Sequence, residues 1–247
     1  VSRYYGTDVF ADFSNGFMEI PFVGMIIGAV ATVLLPAFSK MDNGDGMNQE
    51  TLSLWTSSMI KSAKIIFPML CYSIFFATTI MTCMYGSQYS SSSSYFIIKC
   101  ISGLFYIVPF APIILAIGKT KDYARVHMII AIIIIFVEYL TVKTIDSPIA
   151  VSIAGEICNI LKVFLMSVII SRYAKLSMMT LFKFKSLIKI FLCGFSAAVL
   201  TNFIYILLPF GKFVVLFTSI LVYITLYSII CRIFKISYKE MVEPVMP

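Results

Sequence analysis

Apolar residues along the chain gather into seven long runs, at about 17–38, 65–84, 95–117, 126–143, 148–171, 187–208 and 213–234. A helix needs roughly 20 mostly apolar residues to cross about 30 Å of hydrocarbon, and each run is of that order. Stretches such as "MIIAIIIIFV" (128–137) do not alternate, which excludes the strands of a membrane β-barrel. Helices apolar on nearly every side leave no face for water, which excludes a soluble bundle. The pattern predicts an all-α polytopic membrane protein of about seven transmembrane helices. One further stretch, "QETLSLWTSSMIKSAKII" (49–66), puts Leu52, Trp55, Met59, Ile60 and Ala63 on one face, with Lys61 and Lys64 near its end. It predicts an amphipathic helix over about 48–64, lying in the membrane interface with Trp55 at headgroup level and feeding the next span.

Composition agrees. The 247 residues are 60% hydrophobic and 13% charged, against about 45–50% and about 25% in soluble domains. The net charge of +7 would suggest nucleic acid in a soluble protein; here the placement of the charges matters more, and no nucleic-acid partner is expected. Loops 39–64, 118–125 and 172–189 and the tail from 232 hold fourteen Lys and Arg, from Lys40 to Lys239. The alternate set holds three, Arg3, Lys143 and Lys212. This asymmetry places the first set and the C-terminus in the cytoplasm and runs the first span from outside to inside. The serine run "SQYSSSSSY" (87–95) is then a short external loop.

Catalytic signatures are lacking. There is no phosphate-cradling Gly loop before Lys-Ser/Thr, no HExxH, no GxSxG and a single histidine, His127, at the edge of an apolar run. The six cysteines lie in or beside apolar runs without a C-x-x-C pair, the mark of small buried hydrophobes rather than ligands. The sequence predicts no enzyme, no metal and no cofactor. The chemistry left is that of ionisable residues inside spans, which are costly in lipid and face a bundle interior or a wet cavity. They are Glu19, Lys99, Glu138, Glu156 and Lys162. Glu19 and Lys99 lie within about a turn of the outer helix ends, and Glu138 slightly deeper, where side chains reach the headgroups. Glu156 and Lys162 are deeper. Ser152, Gly155, Asn159 and Lys162 repeat at i, i+3, i+7 and i+10, with Glu156 beside them, so one face of that helix is polar throughout. Helix packing through small and polar residues is one reading. A hydrated cavity wall is the other, and a buried lysine favours it.

Four stretches resemble the polysaccharide transporters of the MOP flippase superfamily, the O-antigen and lipid-linked-oligosaccharide flippases. "GMIIGAVATVLLPAFSK" (24–40) is similar to their helix ending V-L-x-P-x-hydrophobic-S. "MYGSQYSSSSSYFII" (84–98) is similar to their hydrophobic-Y/F-G-x-x-Y element. "ILAIGKTKDYARVHMIIAII" (114–133) is similar to their A-x-G-K-x-K cytoplasmic turn, and "IAVSIAGEICNILKVFLMSVIISRY" (149–173) to the helix that follows. The chain departs from the pattern at Glu138 and Tyr139, where the family often has Asn, and at Asp146–Pro148, where Gly is common.

The resemblance implies the C-terminal half of a two-lobe carrier: a partial lobe over 1–171, then two additional helices and a cytoplasmic tail over 172–247. It implies a fragment lacking the N-terminal lobe, which becomes a partner. It also implies alternating access, a polyprenyl-pyrophosphate-linked oligosaccharide as substrate, a place in the plasma (inner) membrane of a bacterium or archaeon, and a polysaccharide polymerase as a further partner. Lys162 is the first candidate for the anionic pyrophosphate and Lys99 the second, with Glu156 orienting Lys162 or coupling an ion. A multidrug-type exporter, a lipid II flippase and a non-transporting scaffold are the alternatives.

Overall fold

The computed structural model describes residues 1–41, 47, 49–206 and 211–236. The Asn/Asp/Gly turn at 42–46, part of the loop before Lys212, and the tail from 237 lie outside the described residues. The described chain is helical: α1 (Ser2–Gly16), α2 (Pro21–Met41), α3 (Gln49–Phe75), α4 (Ala77–Tyr85), α5 (Ser92–Gly103), α6 (Phe110–Ala116), α7 (Thr120–Thr144), α8 (Pro148–Ala174), α9 (Met178–Phe182), α10 (Phe184–Ile206) and α11 (Lys212–Ile233). No strand occurs among the described residues. Six helices, α2, α3, α7, α8, α10 and α11, are long and apolar enough to cross a membrane. Their outward faces are apolar: Ile132, Ile135 and Phe136 of α7 are exposed, Ile135 at 71%, as expected where lipid replaces water.

The seventh expected span, 95–117, is two helices. α5 stops at Gly103 and α6 starts at Phe110. Pro109 removes a backbone donor just before α6, and Gly103 weakens helix there. The run 65–84 passes from α3 into α4 with one irregular residue, Phe76. Its N–H still bonds the Tyr72 carbonyl at 3.0 Å, and its carbonyl accepts from Ile80 N–H at 2.9 Å.

The helices fall into two compact units. The first takes 1–19, 64–104, 188–206 and 211–236, so α10 and α11 pack with the end of α3 rather than forming a separate C-terminal piece. Its core holds Cys71, Tyr72 and Phe76 with Cys193, Ala197, Ala198, Tyr223, Tyr227 and Cys231. Pro68 interrupts α3. Having no N–H, it leaves the carbonyl four residues back without its helical partner. That carbonyl belongs to Lys64, and Tyr227 of α11 donates its hydroxyl to it at 3.0 Å. Tyr223, one turn earlier, donates to the Pro68 carbonyl at 2.8 Å. A neighbouring helix thus satisfies what the proline frees, as membrane helices require. In α10, Gly194 permits the approach: a Cβ there would lie 3.2 Å from Pro68 Cα. α1 joins this unit through Asp12, whose carboxylate accepts from the Ser91 and Ser92 hydroxyls at 2.5 and 2.9 Å at the start of α5.

The second unit takes 20–41, 47, 49–63 and 105–187. Trp55 is its centre. The indole is fully buried, stands edge-on to Phe38, Phe110 and Phe182 with centroids 6.1–6.2 Å away, and donates Nε1–H to the Leu181 carbonyl at 3.1 Å. The stripe expected to rest on headgroups is therefore packed against protein: Trp55, Met59 and Ala63 are all buried. Amphipathicity marks an apolar face without naming what covers it, and here α2, α6 and α9 supply the cover. α7 and α8 form an antiparallel hairpin in this unit, closed at Asp146–Ser147.

Candidate functional site

The polar face of α8 is built from its first turn. Pro148 occupies the first helical position, and Ser147 caps the end, its Oγ accepting from Ala150 N–H at 3.4 Å. From there Ser152, Gly155, Glu156, Asn159 and Lys162 rise along neighbouring faces of one helix. Ser152 is buried and returns its hydroxyl to the Pro148 carbonyl at 2.9 Å. Glu156 is 5% exposed, in a helix whose side away from the polar stripe carries exposed Ile153, Ile157 and Leu161.

Glu138 arrives from α7. Its carboxylate lies against Gly155, where a Cβ would sit 2.7 Å from Oε1. A glycine at 155 is what lets a carboxylate lie flat on α8 at that level. One turn further, Lys162 Nζ donates to Asn159 Oδ1 at 3.1 Å. The Asn159 backbone carbonyl accepts a hydroxyl from Tyr106 at 3.2 Å. Six residues of helix set Glu156 and Lys162 about 120° apart, and Lys162 makes the shorter i−3 reach to Asn159.

Five of the seven sequence-derived candidates, Glu138, Ser152, Glu156, Asn159 and Lys162, thus share the α7–α8 hairpin. The other two, Lys99 and Glu19, belong to the first unit and pair with each other. Lys99 Nζ is 3.8 Å from Glu19 Oε1 and 5.8 Å from the centre of the Phe17 ring. The Glu19 side chain is 80% exposed and that of Lys99 26%, so this is a superficial ion pair of small energetic weight. Tyr106 was not foreseen. It stands in the break between α5 and α6, hidden in a run that read as one apolar span; Gly103 and Pro109 on either side were the available signal. Among the described residues no group of three or more His, Cys, Asp or Glu is placed to hold a metal, and all six cysteines are free.

This all-helical, multi-span arrangement is shared with a solved membrane protein. The chain superposes on a solved lipid II flippase, MurJ in an inward closed conformation, with a TM-score of 0.64 at 21% identity. The likeness covers 90% of this chain and 45% of that one, so the chain spans less than half the length of that flippase. Residues 1–94 match a family model described as a polysaccharide biosynthesis protein. No curated protein matches the chain.

Proposed function

We propose that the chain supplies one lobe of a carrier that moves a polyprenyl-pyrophosphate-linked oligosaccharide repeat unit from the cytoplasmic to the outer leaflet. Transport proceeds by alternating access against a complementary lobe, for surface polysaccharide synthesis, with a polysaccharide polymerase downstream. The observation that carries this reading is Lys162, a half-buried cation on the polar face of an apolar helix, held by Asn159. An ammonium at membrane depth faces a bundle interior or a wet cavity, and the pyrophosphate of such a substrate is the anion it would receive there.

Glu138 and Glu156 stand one to two turns from Lys162 along the hairpin. We assign them to balancing or coupling ions during the cycle, and Ser152 and Asn159 to lining the same wall. Lys99 and Glu19 take the secondary role of an outer ion pair. The work is transport, not bond chemistry. The site of action is the plasma membrane of a bacterium or archaeon, with the C-terminus and the basic loops cytoplasmic.

In a strain depending on the full-length protein, Lys162→Ala is expected to lose surface polysaccharide while the membrane protein level holds. Unchanged polysaccharide contradicts the assignment. The structural likeness to a lipid II flippase favours a second reading, with lipid II itself as cargo. The glycan on the polyprenyl carrier that accumulates inside a deletion strain separates the two.

A further inference from the structure

The α7–α8 hairpin carries a second charged feature, at the end of the hairpin opposite its turn. The first residues of α7 and the last residues of α8 line an open pocket of about 530 Å³, within the range of small-ligand pockets, about 300–1,000 Å³. Lys119, Asp122 and Arg125 line it from α7, and Arg172, Tyr173 and Lys175 from α8. A preference for basic residues at span ends explains cations in loops. It does not explain why four of them converge on one concavity.

Four cations face one carboxylate, leaving three positive charges in excess. The carboxylate is already engaged: Arg125 Nη1 lies 3.2 Å from Asp122 Oδ1. Lys119, Arg172 and Lys175 form no salt bridge among the described residues. The two helix ends also differ. The α8 terminus is closed on itself: Lys175 turns left-handed at φ 54, its N–H bonds the Arg172 carbonyl, and Leu176 N–H bonds the Ser171 carbonyl at 3.2 Å. The α7 terminus has no side-chain cap, so its positive pole adds to the lysines and arginines.

We propose that this pocket binds an anionic phosphate group, carried by a lipid headgroup at the membrane surface or free in solution. Arg172 and Arg125 have the planar donor geometry that grips phosphate oxygens in pairs, while Lys119 and Lys175 act as point charges. Apolar Val126 and Ile169 complete the lining, each on the side of the charged residues toward the apolar run of its helix. Basic pockets between membrane helices are a known form of headgroup site. The inference uses the pocket alone, and its failure leaves the transport reading standing.

The test is native mass spectrometry of the detergent-purified full-length protein incubated with phosphatidylglycerol or phosphatidylcholine, with a titration of inorganic pyrophosphate in parallel. The wild type is expected to retain phosphatidylglycerol at least tenfold over phosphatidylcholine, and millimolar pyrophosphate to displace it. Arg172→Gln with Lys175→Gln is expected to erase that preference. Lys119→Gln, an exposed single change, is expected to reduce it severalfold should the double variant not accumulate. Binding of pyrophosphate without phosphatidylglycerol retention, lost in the same variants, upholds the phosphate site and assigns it a soluble ligand. A preference unchanged in the variants, or a wild type that binds neither probe, overturns the proposal.

Discussion

Lys162 puts a half-buried charge on the polar face of an apolar helix, where charges face a bundle interior or a wet cavity. Its bond to Asn159 positions the ammonium on the polar face of α8. A charge-assisted hydrogen bond to a phosphate is worth about 1.5–3 kcal/mol, so Lys162→Ala should weaken binding of a pyrophosphate-bearing substrate about 10- to 150-fold. Lys162→Arg should restore part of it, and equilibrium binding of a short-chain polyprenyl-pyrophosphate sugar reads both. The polar stripe was legible in the sequence because helical periodicity alone groups residues 152, 155, 159 and 162. What covers them was not. Glu138 and Tyr106 reach α8 from segments 17 and 53 residues away from their contacts on it, and no local spacing encodes such a meeting. The tyrosines of α11 make the same point. Tyr227→Phe removes the hydroxyl donated to the Lys64 carbonyl, and losing a buried hydrogen bond of this kind costs about 1–3 kcal/mol. Thermal unfolding of the purified protein should register that loss, and an unchanged midpoint would mean the proline-freed carbonyl finds another partner.

Among the elements, the long apolar helices were the easiest to read, because length and hydropathy suffice where lipid is the solvent. α2, α8, α10 and α11 lie within a few residues of expectation, and α7 starts more than a turn before its expected run. α1 was missed: its sequence, with Asp8, Asp12 and Asn15, carries no sustained apolar face, and tertiary bonds from Ser91 and Ser92 to Asp12 hold it. The interfacial stripe was read in period but not in setting. Trp55 suits a headgroup level and equally suits an aromatic box with a carbonyl to bond, and the sequence alone does not separate these. Close helix approach gives the sharpest prediction at this scale. Gly194→Val places a branched side chain against Pro68, whose backbone lies 3.2 Å from the new Cβ and cannot yield as a side-chain tip would. Overpacking of this kind costs about 1–3 kcal/mol, and the variant should show a lowered melting temperature and reduced membrane yield. By contrast Gly155→Ala meets a movable carboxylate tip; it should keep the protein folded while shifting Glu138, and so separate transport from stability.

For the whole molecule, sequence order concealed how the chain is shared out. The two compact units interleave, with α3 beginning in one and ending in the other. A division at residue 171 follows the order of the helices, whereas packing unites α10 and α11 with residues 64–104 because Pro68 and the α11 tyrosines need each other. Orientation rests on charge, and it is open to labelling. In a cysteine-free background, a cysteine placed at Ser90 should react with a membrane-impermeant maleimide in intact cells. One placed at Lys175 should react only after permeabilisation, and the reverse pattern would invert the topology.

The account as a whole stands on movement of a pyrophosphate-linked glycolipid past Lys162. The direct measurement is translocation by the full-length protein reconstituted into proteoliposomes carrying a polyprenyl-pyrophosphate oligosaccharide in one leaflet, followed by lectin accessibility at the opposite face. The account predicts lectin-accessible glycan appearing well above protein-free vesicles, and a rate at least tenfold lower with Lys162→Ala at equal reconstitution. Translocation at the wild-type rate in the Lys162→Ala protein, or none beyond empty vesicles in the wild type, would contradict it.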